Sequence, residues 1–163
     1  MSHPANRSRR SLLALLALSP LAAALAPRAD AQALPVAEVW KSPACGCCKD
    51  WIKHLEANGF KVNVFEVMDA TPIRAKFGMP AKLGSCHTAL IGGYVVEGHV
   101  PAREIKRALR EKPKALGLTV PGMVIGSPGM DTPVYNGKQD PYDVLLVAED
   151  GSTRVYASYN KRS

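Results

Sequence analysis

Apolar positions alternate, cluster and pause along the chain in a way that predicts a short series of elements. An apolar run from Val36 to Trp40 reads as a strand, and Trp51, Ile52 and Leu55 then mark one face of a helix that Asn58-Gly59 stops. Residues 61–67, Lys-Val-Asn-Val-Phe-Glu-Val, alternate as a strand with Val62, Val64 and Val67 inward. Thr71 as N-cap and Pro72 at the first helical position open a short helix that Gly78 ends. Two apolar runs, Thr88 to Ile91 and Tyr94 to Val96, flank Gly92-Gly93 as a hairpin. Pro101 then opens a helix with Ile105, Ala108 and Leu109 inward and Arg103, Lys106, Arg107 and Arg110 on a solvated face.

The order β-α-β-α-β-β-α is that of a thioredoxin/glutaredoxin-like α/β core. Beyond Lys112-Pro113, residues 113–163 form an extension. It holds two Pro-Gly-Met units, at Pro121-Gly122-Met123 and Pro128-Gly129-Met130, in a glycine- and proline-rich loop. A β-hairpin from Asp143 to Ala148 and Arg154 to Tyr159, turning at Asp150-Gly151, follows and is expected to pack on the core.

Residues 1–31 change the picture of the N-terminus. A basic start, the apolar run from Leu12 to Leu18 and the small residues Ala29-Asp30-Ala31 make a secretory signal, with cleavage near residues 31–33. Ser8-Arg9-Arg10-Ser11-Leu12-Leu13 also resembles a twin-arginine signal, and ordinary secretion and twin-arginine export both remain open. The run breaks at Pro20, short of the roughly 20 residues that a membrane span needs. The mature chain, residues 34–163, is then one exported domain with no membrane span. The formal charge of +7 partly belongs to the leader: without residues 1–31 the basic and acidic counts are 17 and 13, or +4. No basic stripe with interleaved aromatics accompanies that remainder, so nucleic acid is not the expected partner.

Chemistry concentrates at Cys45-Gly46-Cys47-Cys48, at the mouth of the first helix. Unpaired backbone N–H groups and the helix dipole favour thiolate there, which makes these sulfurs nucleophiles or soft-metal ligands. Cys45 and Cys48 share a helical face, whereas Cys47 points elsewhere on a regular helix, so either Gly46 makes the turn irregular or Cys47 serves another partner. The fourth thiol, Cys86, stands beside His87 in a loop leading to a strand. Outside the cytoplasm, four cysteines imply disulfides, redox cycling or metal.

Together, Cys45-Gly46-Cys47-Cys48, Gly84-Ser85-Cys86-His87-Thr88, Glu97-Gly98-His99-Val100-Pro101, the two Pro-Gly-Met segments and Asp140-Pro141-Tyr142-Asp143-Val144 resemble the CopG-type periplasmic copper-resistance proteins, over about Val36 to Tyr159. The resemblance implies a thioredoxin-like fold and residence in the periplasm. It further implies Cu(I) held by Cys45, Cys47, Cys48 and Cys86 as a thiolate-bridged cluster, with a role in copper resistance and copper redox conversion. The implied partners are copper ions and other periplasmic copper-handling proteins.

Soft thiolates select Cu(I), and several ions bridged by shared sulfurs approach neutrality where four thiolates around one Cu(I) would carry −3. Zinc is the weaker alternative, since structural zinc sites use two separated cysteine pairs. Two other functions stay open: a thiol–disulfide oxidoreductase using Cys45 and Cys48, and a binding module stapled by two disulfides. Against the oxidoreductase, Cys86-His87-Thr88 stands where such enzymes of thioredoxin type carry a docking proline. That placement favours a closed metal site or an internal disulfide from Cys86 to Cys47 or Cys48. His87, His99, Met79, Met123 and Met130 are further candidates to hold or support the metal, and Trp40 and Trp51 are expected to shield the site. His54 lies roughly 10 Å of helix rise from Cys47 and reads as a surface residue.

Overall fold

The computed structural model describes residues 33–161, which run β1 (Ala37–Lys41), α1 (Gly46–Ala57), β2 (Val62–Glu66), α2 (Thr71–Lys76), β3 (His87–Ile91), β4 (Tyr94–Gly98), α3 (Ala102–Glu111), β5 (Gly117–Val120), β6 (Tyr142–Val147) and β7 (Thr153–Tyr159). Short 3-10 turns occur at Ala81–Leu83 and Pro133–Tyr135. The signal segment and its cleavage position lie outside these residues. Among the described residues no helix is long and apolar enough to cross a membrane.

All seven strands join one sheet in the order β2-β1-β3-β4-β5-β6-β7. The β1/β2 and β4/β5 pairs are parallel and the others antiparallel. Alternation decides which face each strand buries: Ala37 and Val39 of β1 enter the main core with Trp51, Leu55, Ile91, Ile105 and Leu118. Asn58 caps α1 and Gly59 follows at φ +86°, a conformation that suits glycine. The Gly92-Gly93 turn has positive φ at both residues, as a tight hairpin needs.

Four expectations are corrected. The extension adds three strands, because β5 lies inside the stretch read as loop. Gly117 packs so closely on β4 that a Cβ there would sit 1.8 Å from the Val95 carbonyl oxygen, so glycine in this stretch marks a close approach. Val64 is 44% exposed, since β2 is an edge strand paired only with β1. Thr71 lies inside α2, with Ala70 at the N-cap and the Asp69 carboxylate accepting from the Thr71 N–H at 2.8 Å. The charged face of α3 is only partly solvated: Glu104 is buried, accepting from Arg103 and from the Tyr159 hydroxyl at 2.6 Å. The Arg107 guanidinium lies 4.0 Å from the Tyr156 ring centroid, so the face packs on β7.

Candidate metal centre

The first turn of α1 and the Ser85-Cys86 loop before β3 meet at the end of the sheet, and four sulfurs come together there. Cys45 and Cys48 are joined in a disulfide, and Cys47 and Cys86 are free. Cys45 is the N-cap, with extended backbone rather than helical, and this turns its sulfur to within 3.6 Å of the Cys47 sulfur. The turn is therefore irregular at Cys45, and Cys47 lies beside it rather than on another side of the helix. Cys86 lies 3.5 Å from the Cys48 sulfur and 3.9 Å from that of Cys47. Of the two alternatives for Cys86, a closed metal site or a disulfide to Cys47 or Cys48, the disulfide is not formed: the bond joins the N-cap to the first turn of α1, and Cys86 stays a free thiol in contact with it.

Two imidazoles approach from the other side. His99 Nδ1 lies 2.8 Å from the Pro128 carbonyl oxygen and His99 Nε2 lies 3.2 Å from the Cys86 sulfur. A carbonyl only accepts, so Nδ1 carries the proton and Nε2 directs its lone pair at Cys86. That is the orientation in which a histidine ligates a metal. His87 Nδ1 lies 3.4 Å from the same sulfur, and its ring packs 4.3 Å from the Trp51 ring, centroid to centroid. The buried His87 Nε2 has no hydrogen-bonding partner.

The ligand atoms of Cys45, Cys47, Cys48 and Cys86 all lie within 4.8 Å of one another, and so do those of Cys86, His87 and His99. Cys86 belongs to both groups. This donor set of sulfur and imidazole suits copper or zinc and excludes hard cations.

Burial shapes the electrostatics. It pushes the Cys86 thiol up to about 12, with the Cys47 sulfur adding to the effect. Burial also holds His99 below the ordinary imidazole value and His87 well below it, with His99 a second cause for His87. His54, read as a surface residue, is half-buried, and its Nε2 accepts from the Ala102 N–H at 3.0 Å at the start of α3. Its pKa is lowered too, first by burial. Each of these histidines binds a proton less readily folded than unfolded, so the stability tied to its neutral form is complete above the unfolded value of 6.5 and lost as pH falls below it. The reduced, metal-free chain should therefore melt at progressively lower temperature from about pH 6.5 towards about pH 5, and a flat or rising profile in thermal denaturation would contradict this.

Ionic and backbone contacts that the sequence reading missed hold the Cys86 loop. Glu97, fully buried on β4, accepts from the Ser85 N–H at 2.6 Å, from Arg74 Nε at 2.9 Å and from the Thr88 hydroxyl at 2.7 Å. Arg74 of α2 also donates to the Ser85 carbonyl at 2.6 Å. Burial pushes the Glu97 carboxyl up, and the Thr88, Ser85 and Arg74 contacts act against it. A carboxylate directly after the apolar run Tyr94 to Val96 was the available signal, because a buried charge requires a partner.

The Pro-Gly-Met units clasp the centre through their backbone. In the first, the Gly122 N–H donates to the Gly84 carbonyl at 3.0 Å and the Gly122 carbonyl accepts from the Ser85 hydroxyl. In the second, Pro128 orients His99, and Gly129 lies so near α1 that a Cβ would sit 2.7 Å from both the Cys47 carbonyl oxygen and the Trp51 nitrogen. The methionines are placed otherwise: Met123 is exposed, Met130 is buried beside the Tyr135 hydroxyl at 3.5 Å, and Met79 packs with Leu83, Val95 and Val147. Trp51 shields the site, its Nε1 donating to the Val100 carbonyl at 2.9 Å, whereas Trp40 faces away with Phe65 and Phe77.

Gly129 has φ +83°, so Gly129→Ala adds both backbone strain and a clash. It should destabilise the chain by about 2 kcal/mol or more and disturb the cysteine cluster. Denaturant unfolding measures the first effect and thiol accessibility the second. Unchanged values in both would contradict the close packing of this loop on α1.

Residues 83–130 match a family described as a protein of unknown function, DUF411. No curated relative matches the chain. Two solved structures are similar along nearly their whole length, both at 46% identity and a TM-score of 0.71. One, "Copper resistance protein copG- Form 2", covers 77% of this chain and 98% of its own, and "Copper resistance protein copG- Form 1" covers 78% and 99%.

Proposed function

Since the chain belongs to the CopG family of copper-resistance proteins, we propose that it is an exported copper-binding protein that gathers Cu(I) on Cys45, Cys47, Cys48 and Cys86 for copper resistance. The observation that carries this reading is the convergence of sulfurs from residues 45–48 and 86 on one end of the sheet, with their ligand atoms within 4.8 Å of one another. Soft sulfur donors favour Cu(I), and sharing them among several ions relieves the anionic charge that a single ion would leave in a partly buried pocket. His99 Nε2 and His87 are the nitrogen donors that adjoin Cys86. The Cys45–Cys48 disulfide must take up two electrons before all four sulfurs can serve as thiolates, which ties copper loading to redox state.

On this reading residues 1–31 are a cleaved export signal, the mature domain lies in the periplasm, and β1–β4 with α1–α3 form a thioredoxin-like core whose extension, residues 113–163, completes the site. Interconversion of copper oxidation states and exchange with other periplasmic copper-handling proteins belong to the same reading.

The test is anaerobic Cu(I) loading of the reduced mature chain with elemental analysis per chain. More than one copper per chain with loss of free thiols is expected, and a chain that takes up none, or prefers Zn(II) in competition, refutes the proposal. A second reading, thiol–disulfide oxidoreductase, is favoured by the Cys45–Cys48 disulfide itself. It requires turnover of a dithiol substrate that survives Cys47→Ser and is lost in Cys45→Ser.

A further inference from the structure

We propose that the metal-free site runs an internal thiol–disulfide relay, in which Cys86 attacks the buried Cys48 sulfur of the Cys45–Cys48 disulfide and frees Cys45. Cys48 is fully buried, so a reagent from solvent cannot reach its sulfur. Cys86, from a loop 38 residues away in sequence, lies 3.5 Å from it. That approach is preset, because the Glu97 carboxylate, Arg74 and Gly122 hold the Ser85 backbone and hydroxyl beside it.

In the exchange the Cys45–Cys48 bond breaks and a Cys48–Cys86 bond forms. In net terms the proton lost by Cys86 through solvent is balanced by the one that the departing Cys45 sulfur takes up from solvent, and His99 Nε2, 3.2 Å from the Cys86 sulfur, only accepts its hydrogen bond. One disulfide and two thiols exist before and after, so no oxidant or reductant is consumed. Cys47 does not substitute for Cys86. Its attack on Cys45, 3.6 Å away, would release Cys48 instead, and its attack on Cys48 would have to join adjacent residues.

The outcome differs in what it presents. The disulfide moves inward, bridging α1 to the Cys86 loop, and Cys45 and Cys47, both partly exposed, become a pair of free thiols at the surface. Such a pair suits a first soft metal ion. That use rests on the copper reading, but the exchange itself does not, and its test contains no copper.

The test treats chelator-stripped, metal-free chain with iodoacetamide under argon and maps peptides by mass without reduction. In the wild type, Cys45 is expected to become alkylated while peptides linked through Cys48–Cys86 accumulate. In Cys86→Ser, alkylation of Cys45 should slow by roughly tenfold or more, with the Cys45–Cys48 link retained. Equal labelling of Cys45 in both chains, or in neither, overturns the relay. Cys45→Ser, oxidised with glutathione disulfide, provides a second arm. A Cys48–Cys86 disulfide within the chain is expected, and free Cys48 and Cys86 or links between chains overturn the proposal. Cu(I) uptake by the fully reduced chain tests the copper reading separately, so either can fail alone.

Discussion

Cys86→Ser is expected to weaken Cu(I) binding more than any other single cysteine change. Cys86 is the one sulfur that touches both donor groups: it contacts Cys47 and Cys48 on one side and His87 and His99 on the other. Its loss removes a ligand and also separates the imidazoles from the remaining sulfurs. Groups that only orient a ligand typically contribute 10–100-fold in metal affinity, so the fall here should exceed ~100-fold and be accompanied by fewer ions per chain. Competition against a chromophoric Cu(I) chelator under anaerobic conditions measures both. Serine is close in size to cysteine, which keeps the packing change small beside the loss of the soft donor. Wild-type affinity and stoichiometry in Cys86→Ser would eliminate a centre shared between α1 and the loop.

Glu97→Ala should be the most destabilising single change near the site. It leaves the Arg74 guanidinium, 9% exposed, without its carboxylate, and it strips the Ser85 N–H and Thr88 hydroxyl of their acceptor. Breaking a buried ion pair from one side costs about 3–5 kcal/mol, which for a domain of this size lowers the melting temperature by roughly 10 °C or more. Replacing both partners with apolar residues should recover part of that loss, because the uncompensated charge is gone, but not all of it, because the Ser85 N–H and carbonyl stay unsatisfied. Thermal denaturation of the reduced, metal-free single and double variants separates the two contributions. Copper affinity should fall in parallel, since the same carboxylate holds the backbone next to Cys86. A melting temperature in Glu97→Ala within a degree or two of wild type would show that the network contributes little.

The residues that sequence reasoning located and those it missed differ in the range of their causes. Cys45, Cys47, Cys48 and Cys86 were legible because soft donors crowded at a helix mouth and beside a histidine announce chemistry without coordinates. The roles of the Pro-Gly-Met units were not legible. They drew attention for their thioethers, yet their glycines and carbonyls make the contacts, and a backbone group leaves no mark in a residue pattern. Strand β5 is not legible because a four-residue stretch that begins at Gly117 and stops at Pro121 has no periodicity to read. The partnership of Arg74 and Glu97 was missed because they belong to different elements, although Glu97 beside an apolar strand could have raised the question of a partner.

What the sequence by itself determined are the local matters: the order of the first seven elements, the helix that begins at the cysteines, the tight turns and the kind of ion that such sulfurs prefer. Each depends on periodicity or on donor chemistry, which are properties of neighbouring residues. Only the tertiary structure decided that the extension continues the sheet, that His99 turns Nε2 toward Cys86 because Pro128 takes its other nitrogen, and that Cys86 rests against Cys48. Those outcomes depend on distances between segments far apart in the chain, and distances of that kind arise only when the strands pair and the core closes.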